Sequence, residues 1–274
     1  MLSEFPPERH AELLTMFNKH RFLRVMIKTI LKDQTGVILV DNLARPKVAL
    51  LTYKVMEFVG GLSRNKNAKE VIAKISENKL LLFPNDFWLR LARKHLILTA
   101  FPRTKFLSRK SNLLKANRKL RKKELPKGYS LKKISYEILE NINPKIAPTI
   151  LPFYKSPADF IERGMGYCII HDEKKLVVSI AASAMPIYDD EFDLLVVTDP
   201  DPNYRRKGFA TIAATALIGE CLERGIKLHF DSDSEISTRF ALKLGFSRPQ
   251  HYTAYICSRN LLKEKRLHQQ QKSD

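Results

Sequence analysis

Residues 194–225, LLVVTDPDPNYRRKGFATIAATALIGECLERG, carry the reading of the fold. The run opens with an apolar, β-branched stretch of strand length at 194–198 and enters a loop broken by Pro200 and Pro202. Three cations follow, Arg205, Arg206 and Lys207, and then Gly208. From there Phe209, Ile212, Ala213, Ala216 and Leu217 share one helical face, which predicts a helix over 208–224 stopped by Gly225. Each part suits phosphate binding. Gly208 lets a ligand approach the backbone closely, the first helical turn offers unpaired N–H groups at its positive end, and the three side chains add full charges. No GxxxxGK followed by Ser or Thr is present, nor GxGxxG, so nucleotide hydrolysis and hydride transfer are disfavoured. The bland alternative is a basic helix start that binds nothing.

Downstream, 226–230 predicts a strand, 234–244 a helix ended by Gly245, and 252–257 a last strand. Upstream, 167–170 and 176–184 predict a hairpin across HDEKK, with a further strand over 191–198. Hairpin, strand, helix, strand, helix, strand is a single-sheet α/β layout. In the first half, 8–31 predicts one long helix, 37–40 and 48–53 two paired strands, 68–77 a helix, and Asp86 the N-cap of a helix through His95. Eleven Lys or Arg and one acid fall within 102–127, with Phe106, Leu113, Leu114 and Leu120 spaced as in a basic amphipathic helix. The expected domains are thus a mixed α/β unit over 1–101, a linking helix over 102–127 and a second domain over 128–274.

The chain has 274 residues, 48 Lys and Arg against 29 Asp and Glu, and 44% apolar residues, a profile that excludes a disordered tail, a collagen-like fibre and a disulfide scaffold. Its net charge of +19 is lopsided: 1–130 holds 28 cations and 10 acids, 131–274 holds 20 and 19. An attraction to an acidic macromolecule would therefore belong to residues 1–130. Cys168, Cys221 and Cys257 lack metal-ligand spacing and read as packing thiols of a reducing compartment. The N-terminus lacks the pattern of a signal peptide, and the longest nearly apolar run, 176–188, falls short of the roughly 20 residues of a membrane span, so a cytoplasmic protein without a transmembrane segment is expected. His229, at the end of a strand, could be a base, but lacking partners at metal-ligand spacing it reads first as structural, and no metal is assigned. Phe83, Phe87 and Trp88 read as core rather than as a base-stacking platform. The QQQKSD ending reads as a frayed tail.

The Arg205-x-x-Gly208-x-Ala210 loop, its helix and the later SEISTRFALKLGF resemble the acyl-CoA binding core of the GNAT superfamily of N-acetyltransferases. Further segments in order, LPKGYSLKKI, DFIERGMGYCII, EFDLLVVT and YTAY, with GVILVDN and GG in the first half, are similar to the subgroup that includes the zwittermicin A resistance acetyltransferase. The resemblance implies a mixed, mostly antiparallel sheet flanked by helices behind a diverged mixed α/β N-terminal domain, with acetyl-CoA as donor and an amine as acceptor. It implies that Arg205, Arg206, Lys207, Gly208, Phe209 and Ala210 hold the pyrophosphate, and that the main chain of Leu195, Val196 and Val197 binds the pantetheine arm.

Amide formation needs a deprotonated amine, and Glu191, among Asp189, Asp190 and Asp193, is the candidate general base; the alternative is a solvated turn acid. The chain departs from the superfamily pattern in two places. Ser234 stands where many members have Asn, and Ala241 where many have a general-acid Tyr. Ser234 and Ser237 remain candidates to hydrogen-bond the donor, and Tyr255 is a weak candidate acid, with Tyr252 its neighbour in that role. No Cys with suitable partners is suggested, so direct transfer in a ternary complex is expected. The rival reading is an inactive acyltransferase fold whose basic half grips nucleic acid, acidic protein or a membrane surface.

Overall fold

The computed structural model describes residues 1–259; the QQQKSD tail lies outside them. Unit 1 comprises Met1–Pro102 and the chain from Tyr252 onward, and unit 2 comprises Arg103–His251. The boundary between them falls inside a strand, and the last described strand belongs with the first unit.

Unit 1 contains β1 (Ser3–Glu4), α1 (Arg24–Lys32), β2 (Val37–Val40), β3 (Val48–Tyr53) and β4 (Met56–Gly61), then α2 (Ala68–Lys74), β5 (Leu80–Leu82) and α3 (Asp86–Arg93). The strands β1 to β4 pair antiparallel in sequence order, and β5 lies parallel to β4 after the α2 crossover. The single helix expected over 8–31 is instead a 3-10 stretch at Pro7–Leu13, a break, a 3-10 turn and α1. The break draws Phe17 and His20 into the interior, where the His20 Nε2 donates to the Val59 carbonyl at 2.8 Å. Asn85, not Asp86, caps α3, accepting from the amides of Phe87 and Trp88.

A strand that the sequence did not show, β6 (Leu96–Leu107), leads from unit 1 into unit 2. The segment expected to be a linking helix therefore begins as strand, and its helical part, α4 (Lys110–Leu120), is a packing element. Leu113, Asn117 and Leu120 form a buried stripe, and the Asn117 amide donates to the Thr215 carbonyl at 2.6 Å. After α4 come β7 (Tyr129–Lys133), the short helices α5 (Tyr136–Glu140), α6 (Ala147–Ile150) and α7 (Pro157–Arg163), β8 (Gly166–His171), β9 (Leu176–Ser183) and β10 (Glu191–Thr198). Then follow α8 (Phe209–Arg224), β11 (Lys227–Ser232), α9 (Glu235–Lys243) and β12 (Ser247–Arg259). The helix α8 is buried on most of its surface, beyond the single face expected, because α4 covers what β8 to β10 leave open.

The two units repeat one arrangement. In unit 2 the strand order is β7-β8-β9-β10-β11-β6, with β10 and β11 parallel across α8; in unit 1 it is β1-β2-β3-β4-β5-β12, with β4 and β5 parallel across α2. In both, helices are inserted between the first two strands and a second helix follows the fifth strand. In both, the sixth strand is supplied by the chain segment that follows the other copy: Thr104–Phe106 pair with β11 in unit 2, and Tyr255 and Ile256 pair with β5 in unit 1.

Burial moves His20 from its ordinary value down to about 4. The folded state therefore binds fewer protons than the unfolded chain between about pH 4 and the usual histidine range, and stability rises with pH across that window. Urea midpoints measured from pH 4 to 7 should climb, and His20→Asn should flatten the climb; an unchanged slope in the variant would assign it elsewhere.

Candidate functional site

The site begins where β10 and β11 part. Glu191, Phe192 and Asp193 are paired with Lys227, Leu228 and His229, whereas 194–198 are paired with β9 alone. Hydrogen-bond parity shows which backbone groups face the gap. The Asp193 carbonyl accepts from the Ala184 amide and the Asp199 amide donates to the Val178 carbonyl, so the odd-numbered residues bond to β9. The backbone of Leu194, Val196 and Thr198 faces the splay. Of the three residues expected to offer main-chain bonds, Val196 is so placed; Leu195 and Val197 turn their backbone to β9 and pack their side chains against the core under α5 to α7. The Val197 carbonyl also accepts from the Ser179 hydroxyl at 3.0 Å.

Beyond β10 the loop is held from inside. Asp199 is buried and accepts from the Asp201 amide at 2.9 Å and the Asn143 side chain at 2.5 Å. Burial alone would raise its carboxyl, yet these bonds, with Lys145 nearby, hold it below the usual carboxylate range. Tyr129, Tyr204, His171 and Phe209 make a ring cluster that fixes the far side of the loop. Gly208 ends the loop at φ +86° as the N-cap of α8, a conformation that costs other L residues about 1–2 kcal/mol. Among the described residues no side chain caps this helix, and its first bond runs from the Ile212 amide to the Gly208 carbonyl at 3.0 Å. The amides of Phe209, Ala210 and Thr211 are left for an anion. By contrast, Ser234 caps α9 with its own hydroxyl, accepting from the Ser237 amide at 3.2 Å.

These parts line a cleft of about 1030 Å³ within unit 2. Six of the expected donor-binding positions, Arg205 to Ala210, meet there with Val196, Ser234 and Ser237. Among the described residues five cations border it, Lys123, Arg205, Arg206, Lys207 and Lys243, and no acid does. A cation-lined cleft with open helix amides fits a polyphosphate ligand.

On the opposite face of β6, β11 and β10 lies a row of ionisable groups. Glu191 is 6% exposed and its Oε2 meets His229 Nε2 at 3.1 Å. Asp193 pairs with the buried Lys105, and Asp231 with Arg103 at 2.6 Å. Sequence reasoning missed Lys105 and Arg103 because they sit in the segment expected to be helical, and it had no partner for His229 because Glu191 lies 38 residues away. Burial, with Lys105 adding to it, lowers the His229 pKa from its ordinary value. Asp189 and Asp190 are exposed on the turn before β10. The candidate acid Tyr255 is elsewhere: it lies in the core of unit 1, 5.8 Å from the Phe83 ring, and does not border the cleft. Among the described residues no group of three or more His, Cys, Asp or Glu is placed to hold a metal, and no helix is long and apolar enough to cross a membrane.

The family model described as GNAT acetyltransferase matches residues 14–255. The chain belongs to the GNAT acetyltransferase family. It is 26% identical over 270 residues to the uncharacterized N-acetyltransferase YdfB of Bacillus subtilis (strain 168), covering 93% of this chain and 98% of that protein. Among solved structures it is similar to a GCN5-related N-acetyltransferase-like protein from Streptococcus suis 89/1591, with TM-score 0.65, 24% identity, and 92% and 98% of the two chains covered. It is also similar to a tandem GNAT protein from the clavulanic acid biosynthesis pathway, with TM-score 0.55, 13% identity, and 94% and 97% covered. The fold class expected from sequence, a mixed and mostly antiparallel sheet flanked by helices, is thereby established for this GNAT chain.

Unit 1 is the informative contrast within this GNAT chain. Its β4 is likewise paired with β5 only over Met56–Phe58, and parity there directs the Val59 and Gly61 carbonyls into the splay. Both are satisfied by side chains of the same unit: His20 donates to Val59, and the buried Trp88 Nε1 donates to Gly61 at 3.0 Å. At the start of α2, Asn67 stands at φ −83° where unit 2 has Gly208 in the left-handed region.

Proposed function

We propose that this GNAT protein is an acetyl-CoA-dependent N-acetyltransferase that transfers the acetyl group directly to an amine within a ternary complex. The observation that carries this reading is the cation-bordered cleft, in which the Gly208 loop and uncapped α8 amides stand beside the open backbone of β10. Acetyl-CoA would supply an activated thioester carbonyl and a thiolate leaving group. Arg205, Arg206 and Lys207, with the amides of Phe209 and Ala210, would hold its pyrophosphate, and Val196 would bond the pantetheine amides; Ser234 and Ser237 border the same arm.

Proton removal from the acceptor amine falls to Glu191 and His229. A carboxylate only accepts, so the imidazole donates Nε2–H to Glu191 and keeps a lone pair on Nδ1. Glu191 orients and stabilises that ring, and the pair takes the proton released as the amide forms. Because burial lowers the His229 pKa, the ring stays neutral at neutral pH and activity falls as pH drops through its folded pKa. Neither unit 2 thiol suits an acyl-enzyme: burial pushes both Cys168 and Cys221 up to about 12. No side chain is assigned as acid for the leaving thiolate.

The subgroup resemblance, a cytoplasmic setting and an acidic macromolecular partner for residues 1–130 remain parts of this proposal, carried by motifs and charge alone. The test is release of free thiol from acetyl-CoA with a panel of small and protein amines, together with calorimetric titration. Micromolar binding and amine-dependent thiol release are expected, with kcat reduced about 100-fold by Glu191→Gln. A folded protein that ignores acetyl-CoA but binds RNA or anionic vesicles in a salt-dependent way would replace this reading with the binding-module one.

A further inference from the structure

The cations around the cleft fall into two groups. Arg205, Arg206 and Lys207 belong to the loop before α8. Lys243 comes from the last turn of α9 and Lys123 from the chain after α4, so two further segments deliver these ammonium groups to the same cleft. Lys243 is fixed in place, its Nζ donating to the Thr211 hydroxyl at 3.1 Å in the first turn of α8. Lys123 borders the same cleft. Burial first, and the Lys123 charge second, hold the Lys243 ammonium below its ordinary pKa.

Two like charges brought together beside a cleft without a bordering acid repel each other, and among the described residues no ion pair forms to either. A bound dianion would turn that repulsion into attraction. The pyrophosphate already has three cations and the α8 amides. Coenzyme A carries one further phosphate, a monoester on the 3′ position of its ribose, one sugar away from the pyrophosphate. Thr211, which anchors Lys243, follows directly on Ala210 of the pyrophosphate loop, so the second group lies beside the first.

We propose that Lys123 and Lys243 form a subsite for the ribose 3′-phosphate of coenzyme A, and that this subsite makes the protein distinguish coenzyme A from its 3′-dephospho form. The inference rests on the reading that the cleft binds coenzyme A. It also gives the segment between α4 and β7 a role in choosing the donor.

The experiment is calorimetric titration of the full chain with coenzyme A and with dephospho-coenzyme A, for the wild type and for the double variant Lys123→Ala, Lys243→Met. Both residues lie at the surface and methionine keeps the apolar stem of Lys243, so the variant should stay folded with a thermal midpoint close to that of the wild type. The wild type should bind dephospho-coenzyme A about 10- to 50-fold more weakly than coenzyme A. The double variant should lose that factor for coenzyme A alone and bind the dephospho form as the wild type does. Equal weakening of both ligands would place the lysines on the pyrophosphate, and equal affinity of the wild type for both would remove the subsite; either overturns the proposal. If a folded wild type binds neither ligand, the donor reading fails and the subsite fails with it.

Discussion

Replacing Gly208 by tryptophan should abolish acetyl-CoA binding, a loss of more than about 1000-fold, or roughly 4 kcal/mol. The backbone at Gly208 has φ +86°, and a Cβ there meets nothing within 4 Å, so the indole would project into the open cleft rather than into protein. Its bulk would cover the amides of the first turn of α8, where an anion must approach the chain. The control is Gly225→Trp at the other end of the same helix. Gly225 has φ +75° and equally open surroundings, so its replacement carries the same kind of backbone strain. It does not border the cleft. Both variants should lose about 1–2 kcal/mol of stability in urea titration, while only Gly208→Trp loses the ligand. Loss of binding in both would trace the effect to strain in α8 and leave the loop without its assigned role. Wild-type titrations should saturate at one equivalent per chain, because the matching splay of unit 1 is occupied by His20 and Trp88.

Trp88→Ala should destabilise the protein by about 3–5 kcal/mol, the largest effect expected of any single truncation in unit 1. Trp88 is fully buried among Val48, Val59, Val71 and Leu81 and holds the Gly61 carbonyl at the splay. Its removal combines a large cavity with an unsatisfied carbonyl. Trp88→Phe separates the two effects: it restores most of the apolar contact and should cost about 1–3 kcal/mol for the bare carbonyl. Urea midpoints of the three proteins decide this. A loss below about 1 kcal/mol for Trp88→Ala would mean that the splay is not held by this side chain. The emptied splay should still bind no coenzyme A, because Asn67 and the preceding Arg64, Asn65 and Lys66 do not reproduce the Gly208 loop.

The second half was legible because its turns are punctuated locally. Gly208, Gly225 and Gly245 mark helix ends with their own conformational needs, and β10, α8 and α9 lie within about a residue of where the sequence places them. What the sequence hid was non-local. The basic helix reads as a linker because its stripe of Leu113, Asn117 and Leu120 finds its partner at Thr215, 98 residues from Asn117. Lys105 gives no strand signal, since only the pairing of β6 with β11 brings it to Asp193. Glu191 was legible as an acid at a strand start, but its partner His229 lies 38 residues on and is brought beside it by the parallel pairing of β10 and β11. The parity that separates Val196 from Leu195 and Val197 likewise depends on which neighbour each backbone group meets. Tyr255 looked available on the last strand because the exchange that takes β12 into the core of unit 1 leaves no local trace.

That exchange also orders events during synthesis. A chain leaving the ribosome delivers β1 to β5 first, but the strand that closes their sheet, β12, is translated only after the whole of unit 2. Unit 2 has no such delay, since β6 precedes it and β11 completes the pair. The half made second can therefore finish first, and the half made first waits with the edge of β5 uncovered until unit 2 has been translated. Vectorial folding is here reversed by topology, and β12 acts as the latch that closes the first-made half.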